Sequence, residues 1–81
     1  MIGLLQRVTS ASVAAEGREI ARIGPGLLVL VAVERDDSPV EAGRLLDRLL
    51  NYRVFADAED RMNLSVMDVN GGLLLVPQFT L

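Results

Sequence analysis

Seven apolar residues in unbroken succession, Leu27-Leu28-Val29-Leu30-Val31-Ala32-Val33, constrain this chain more than any other feature. They follow the breaker Gly24-Pro25-Gly26 and give way to the charged Glu34-Arg35-Asp36-Asp37. A run this short between turn signals predicts a strand, where a buried helix would need a longer one. Because the run does not alternate, that strand is expected to be covered on both faces. The opening segment, Ile2 to Val13, is also rich in β-branched residues and carries apolar side chains on both faces near its start. It reads as a first strand covered on two sides, and Glu16-Gly17-Arg18 turns it into a short strand over Glu19 to Ile23.

One helix is written into the sequence. Ser38-Pro39-Val40-Glu41 combines an N-cap serine, proline at the first helical position and glutamate three residues after the cap. Ala42, Leu45, Leu46, Leu49 and Leu50 then form one stripe, with Glu41, Arg44, Asp47 and Arg48 on the other side. After it come a short strand over Tyr52 to Phe55 and an acidic surface loop from Asp57. Asn63 to Asn70 is expected to contain about one helical turn, and Gly71-Gly72 precedes a last strand over Leu73 to Leu81. The expected order is β-β-β-α-β-β, an α+β domain with one helix packed on mixed, barrel-like sheet layers.

With 81 residues, 51% hydrophobic side chains and 23% charged ones, the chain has the size and composition of one small globular domain. No apolar stretch approaches the ~20 residues of a bilayer span, and Met1 to Ser10 has no basic leader. The expectation is a cytoplasmic protein without a membrane partner.

Absent residue types narrow the chemistry further. There is no Cys, no His and no Lys, since all 8 positive charges are Arg. Thiolate metal sites, cysteine nucleophiles, the Ser-His-Asp triad and a P-loop are excluded within this chain. A net charge of −3 gives no general attraction to nucleic acid, so an RNA partner would require a local arginine patch. The acidic loop fails as a calcium site, because Arg61 and Met62 stand where a ligand and the sharp-turn glycine belong.

Two features invite functional readings. Arg7 lies between Leu5 and Thr9 on the first strand. It either extends to solvent or pairs with a carboxylate such as Glu34, or it is held by the sheet to orient a loop or contact an anionic substrate. In the last strand Gln78 and Thr80 share a face with Leu74 and Val76, while Pro77 and Phe79 share the other. Pro77 cannot donate to a ladder, which suggests an edge, a bulge or open backbone there.

The stretches MIGLLQRVTSASV, GPGLLVLVAVERDD, NYRVFADAEDRMNLSV and LLLVPQFTL together resemble the D-aminoacyl-tRNA deacylase family along the whole chain. That family's signature Ser-Gln-Phe-Thr-Leu is matched by Pro77-Gln78-Phe79-Thr80-Leu81, with proline in place of the serine. The resemblance implies a homodimeric enzyme that hydrolyses the ester of D-aminoacyl-tRNA without metal or cofactor, and with no role for DNA. It also implies that Gln78, Phe79 and Thr80 form one wall of the pocket, chiefly through main-chain N–H groups. Thr80 aligns with a threonine once considered a nucleophile, although the ribose 2′-hydroxyl of the tRNA is the better candidate. The resemblance makes Arg7 a brace for a Gly-cis-Pro loop, a second signature expected beyond Leu81. The chain is therefore expected to be the N-terminal part, residues 1–81, of one deacylase domain. The competing expectation is a non-catalytic fragment or a dimerising interaction module.

Overall fold

The apolar run becomes the middle strand of a three-stranded sheet. The computed structural model describes residues 1–78 and contains β1 (Ile2–Val8), β2 (Ala11–Ala15), β3 (Arg18–Ile23), β4 (Gly26–Ala32), α1 (Pro39–Asn51), β5 (Phe55–Ala56), β6 (Met62–Leu64) and β7 (Gly72–Gln78). The main sheet has the order β1-β4-β7, with β1 antiparallel and β7 parallel to β4. β2 pairs with β3, and β5 with β6, as separate two-stranded units. This is the expected α+β architecture. Among the described residues the sheets do not close into a barrel, and no helix is long and apolar enough to cross a membrane.

The helix forms as its sequence dictates. The Ser38 hydroxyl accepts from the Val40 N–H, and the Glu41 carboxylate reaches back to the Ser38 N–H at 2.8 Å and to its hydroxyl. Two donors left without helical partners are thus satisfied at once. The stripe then packs on one face of the main sheet. Leu27, Val29 and Leu49 are fully buried there beside Phe55 and Val66, with Leu5, Leu45, Leu50 and Leu73 around them. Burying each such side chain contributes on the order of 2 kcal/mol.

Two turns fix the strand directions. At the β2–β3 turn both Glu16 (φ 53) and Gly17 (φ 77) are left-handed, the mirror-image turn that matches strand twist. At the start of β4 and β7, Gly72 donates its N–H to the Pro25 carbonyl at 2.9 Å. A Cβ on Gly26 would lie 2.0 Å from the Gly72 carbonyl oxygen. Two glycine backbones meet where no side chain fits, and this contact sets the parallel register of β7 on β4.

Several expectations are corrected. Ile2 to Val13 is two strands. Val8 is paired with Gly26, the first residue of β4, so the chain runs out of partner, bends at Thr9-Ser10 and enters a different hairpin as β2. Four strands, not three, therefore precede the helix. The strand expected over Tyr52 to Phe55 begins only at Phe55, because the Tyr52 N–H still caps the helix on the Arg48 carbonyl. β6 occupies Met62–Leu64, and the expected helical turn follows it, with the Val69 N–H bonded to the Ser65 carbonyl. β7 is described as far as Gln78; the rest of the expected last strand lies outside the described residues.

Coverage is uneven where two covered sides were expected. Ile2 and Leu4 on β1 are 53% and 67% exposed and Leu30 on β4 is exposed as well, whereas Ala32 and Leu74 on the same face are buried.

The glycine contact yields a test. Gly26→Ala should cost about 3 kcal/mol through forced separation of two backbones, whereas Ser38→Ala should cost about 1 kcal/mol through loss of the cap. Urea unfolding followed by circular dichroism would rank the two, and equal midpoints would refute the role given to the glycine pair.

Candidate functional site at the end of the parallel strand

The residues singled out in the sequence fall at opposite ends of the main sheet. Arg7 is paired with Leu27, and Leu27 with Leu73. Pro77 is paired with Val31, and Gln78 with Ala32, which in turn faces Ile2. Five register steps separate the Leu27 level from the Ala32 level, about 16 Å along the strands. Within one chain, then, Arg7 does not meet Pro77 or Gln78. Phe79 and Thr80 lie outside the described residues.

Pro77 is exposed and stands on a strand with an open outer edge, since β4 is the only described neighbour of β7. A residue without an N–H is tolerated in that position. The side chain of Pro77 borders an apolar hollow of about 310 Å³ between β7 and α1, walled also by Val31, Leu45, Leu49 and Leu75. Ala42 and Leu46, which belong to the helix stripe, line the same hollow. This explains why part of the stripe remains exposed: the helix crosses the sheet without closing on the last strand.

An ion pair that sequence reasoning did not find sits at this end of the sheet. The Met1 ammonium donates to the Asp37 carboxylate at 2.7–2.8 Å, with Glu34 at 3.9 Å, and both Met1 and the Asp37 side chain are close to buried. Asp37 also accepts from the Glu34 N–H at 2.7 Å, which closes the β4–α1 turn. The ammonium holds the Asp37 carboxyl below the ordinary carboxylate range, with help from the Glu34 N–H. Asp37 in turn raises the ammonium. Neither effect is legible in the sequence, because one partner is the chain terminus.

At the opposite end, Arg7 does not pair with Glu34, which lies beyond the far end of β4. Arg7 is exposed, and its Nη1 donates to the Val54 carbonyl at 3.0 Å and lies 3.3 Å from Met62 Sδ. It therefore ties β1 to the β5–β6 unit. The acidic loop is spent on itself: Asp57 Oδ1 accepts from the N–H groups of Glu59 and Arg61. These bonds, that of Arg61 foremost, lower the Asp57 carboxyl. Among the described residues no three Asp or Glu side chains are grouped to hold a metal ion.

A family model described as D-Tyr-tRNA(Tyr) deacylase matches residues 4–81. The chain belongs to that family. It is 67% identical over its whole length to the D-aminoacyl-tRNA deacylase of Nitrosococcus oceani, and 63% identical to that of Pseudomonas fluorescens. It covers 52% and 56% of those proteins, so it spans about half the length of the curated relatives it matches. A solved structure titled c-Myc DNA Unwinding Element Binding Protein superposes with a TM-score of 0.89 at 40% identity, over 98% of this chain and 54% of that one. The α+β arrangement described above is thus shared with that structure.

The Met1–Asp37 pair predicts a defined pH profile. A depressed carboxyl contributes stability above its ordinary pKa and loses it as pH falls through the depressed value. A raised ammonium contributes stability below its ordinary value and loses it as pH rises through the raised one. The pair is therefore complete between about pH 4 and pH 8. In thermal unfolding across that range and beyond it, Asp37→Asn should remove the alkaline decline and shrink the acid one. Glu41, Asp57 and Asp68, also depressed by hydrogen bonds, keep part of the acid limb. An alkaline limb unchanged in Asp37→Asn would refute the assignment.

Proposed function

We propose that this chain supplies the N-terminal portion, residues 1–81, of a D-aminoacyl-tRNA deacylase domain. The reaction is hydrolysis of the ester between a D-amino acid and the terminal ribose of tRNA. The observation that carries this reading is the family match over residues 4–81, which includes the Gln78-containing signature at the open edge of β7.

The absence of His, Cys and Lys fits a site that works through backbone groups and the substrate's own hydroxyl, as the family resemblance implies. The resemblance implies that catalysis uses main-chain donors. Water adds to the ester carbonyl carbon, and the developing oxyanion accepts hydrogen bonds from N–H groups of the Gln78-Phe79-Thr80 segment. The carbon–oxygen bond to the ribose breaks, and the leaving 3′-oxygen takes a proton, assisted by the neighbouring 2′-hydroxyl. Pro77 donates no N–H, so the set of donors begins after it. The hollow beside Pro77 is apolar and offers a wall for an amino-acid side chain.

A homodimer acting in the cytoplasm on the acceptor end of tRNA completes the reading. Exposed Ile2, Leu4 and Leu30 on the uncovered sheet face support an association surface. The same exposure supports the second reading, a non-catalytic dimerising module.

Hydrolysis of D-Tyr-tRNA and L-Tyr-tRNA by the 81-residue chain, and by a polypeptide extended to the relatives' length, separates the two. The extended protein should release D-tyrosine selectively, and the 81-residue chain should release little of either. Thr80→Ala in the extended protein should slow release only a few-fold, and a loss of about a thousand-fold would make the hydroxyl a nucleophile instead. Absence of D-selective release by the extended protein would leave the interaction module.

A further inference from the structure

Asn70 and Gly71 join a helical turn to the strand that carries Pro77 and Gln78. The turn over residues 66–69 ends in a Schellman motif. The Asn70 N–H bonds to the Met67 carbonyl at 3.1 Å, and the Gly71 N–H reaches back to the Val66 carbonyl at 2.9 Å. That closure needs a left-handed residue at position 70, and Asn70 has φ 53. Asparagine tolerates this region better than most residues with a side chain. Asn70 is exposed. Its side-chain amide therefore stands in water beside a peptide nitrogen that no side chain shields, because the next residue is glycine.

An asparagine followed by glycine reacts with its own main chain. The Gly71 nitrogen gives its proton to solvent and attacks the Asn70 side-chain carbonyl carbon. The bond from that carbon to the amide nitrogen breaks, and ammonia leaves with a proton taken from water. The cyclic imide then takes up a water molecule. Opening at one carbonyl gives aspartate; opening at the other gives isoaspartate, whose main chain runs through the side-chain carbon and gains a methylene. The net change is water in and ammonia out, with no oxidant or cofactor. Asn51 and Asn63 are followed by Tyr52 and Leu64, whose side chains crowd the corresponding nitrogen. In the folded chain the Gly71 N–H is engaged by the Val66 carbonyl, so its nitrogen is released only when the turn opens.

We propose that Asn70-Gly71 is a site of spontaneous isoaspartate formation, locked by the Gly71–Val66 hydrogen bond and released when that turn opens. The extra methylene falls where the fold has no slack. A Cβ on Gly71 would lie 3.1 Å from both the Pro25 carbonyl oxygen and Val66 Cγ2, and one on Gly72 would lie 2.8 Å from Ile23 Cβ. The Gly72 N–H must still reach the Pro25 carbonyl at 2.9 Å. Lengthening the chain just before that contact displaces β7 against β4, whose register sets Leu73 on Leu27 and Gln78 on Ala32. Conversion thus loosens the strand that carries Gln78. The proposal stands apart from the deacylase reading and does not depend on it.

The test compares the 81-residue chain folded in buffer with the same chain unfolded in urea, both held at mildly alkaline pH, where the Gly71 nitrogen loses its proton more readily. Trypsin cuts after Arg61, so one peptide, residues 62–81, reports Asn63 and Asn70 together by mass. Methylation by a protein isoaspartyl methyltransferase marks the isoaspartate. In the unfolded chain Asn70 should convert while Asn63 stays intact, and folding should slow the conversion about tenfold or more. Asn70→Gly should abolish the mass change in that peptide. Asn70→Asp, which adds the charge without the methylene, should melt near the unmodified chain, and the isolated isoaspartyl chain should melt well below both. Equal rates in the folded and unfolded chains would overturn the lock, and equal conversion at Asn63 would overturn the choice of site. An isoaspartyl chain that melts with Asn70→Asp would overturn the link to β7.

Discussion

The contact of Gly26 with Gly72 is the constraint on which the rest of the molecule depends. β7 lies against β4 at their first residues, where a Cβ on Gly26 would strike the Gly72 backbone, one on Gly72 would strike Ile23, and the Gly72 N–H bonds to the Pro25 carbonyl. From that point the register carries Leu73 to Leu27 and, five steps later, Gln78 to Ala32. A shift of one residue would invert β7, exposing Leu73 to solvent and sending Leu74 towards the helix. The placement of the signature segment is thus decided at the other end of its strand.

The chemistry of the chain is shaped by the same economy of side chains. Its strongest electrostatic contacts are structural: Met1 with Asp37, Glu41 with Ser38, Asp57 with its own loop, and Asp68 with Ser65. Each of these four carboxylates is occupied by an N–H or an ammonium. The outer edge of β7, by contrast, has no described strand to take up its main-chain groups.

Local signals in the sequence were sufficient for the helix, the Glu16-Gly17 turn and the central strand, because each is specified by neighbours in the chain. The Ser38–Glu41 box is a four-residue motif, and the run from Leu27 carries its own boundaries. What depends on distant partners was not legible. The break at Thr9-Ser10 is set by where β4 begins, and the two-residue β5 exists only because Met62 and Leu64 reach it. For Arg7 the sequence left solvent, a carboxylate such as Glu34 and a hold by the sheet all open, and the partner it takes is a main-chain carbonyl, which every residue possesses and no sequence pattern marks. Pro77 was legible as an edge residue because its missing donor restricts it wherever it occurs. The exposure of Ile2 and Leu4 could not be read from alternation, which reports apolar character and not what lies above it.

The separation of β4 from its parallel partner bears on how the molecule assembles on the ribosome. β1, β4 and α1 are complete once Asn51 has emerged, but β4 keeps one side of its ladder vacant until Gly72 to Gln78 follow. Parallel pairing across so long a loop is slow to close. Until β7 emerges, the nascent chain is therefore a two-stranded, helix-backed intermediate with an unsaturated apolar margin. Crowding, chaperones and neighbouring nascent chains act on that margin before the native partner arrives.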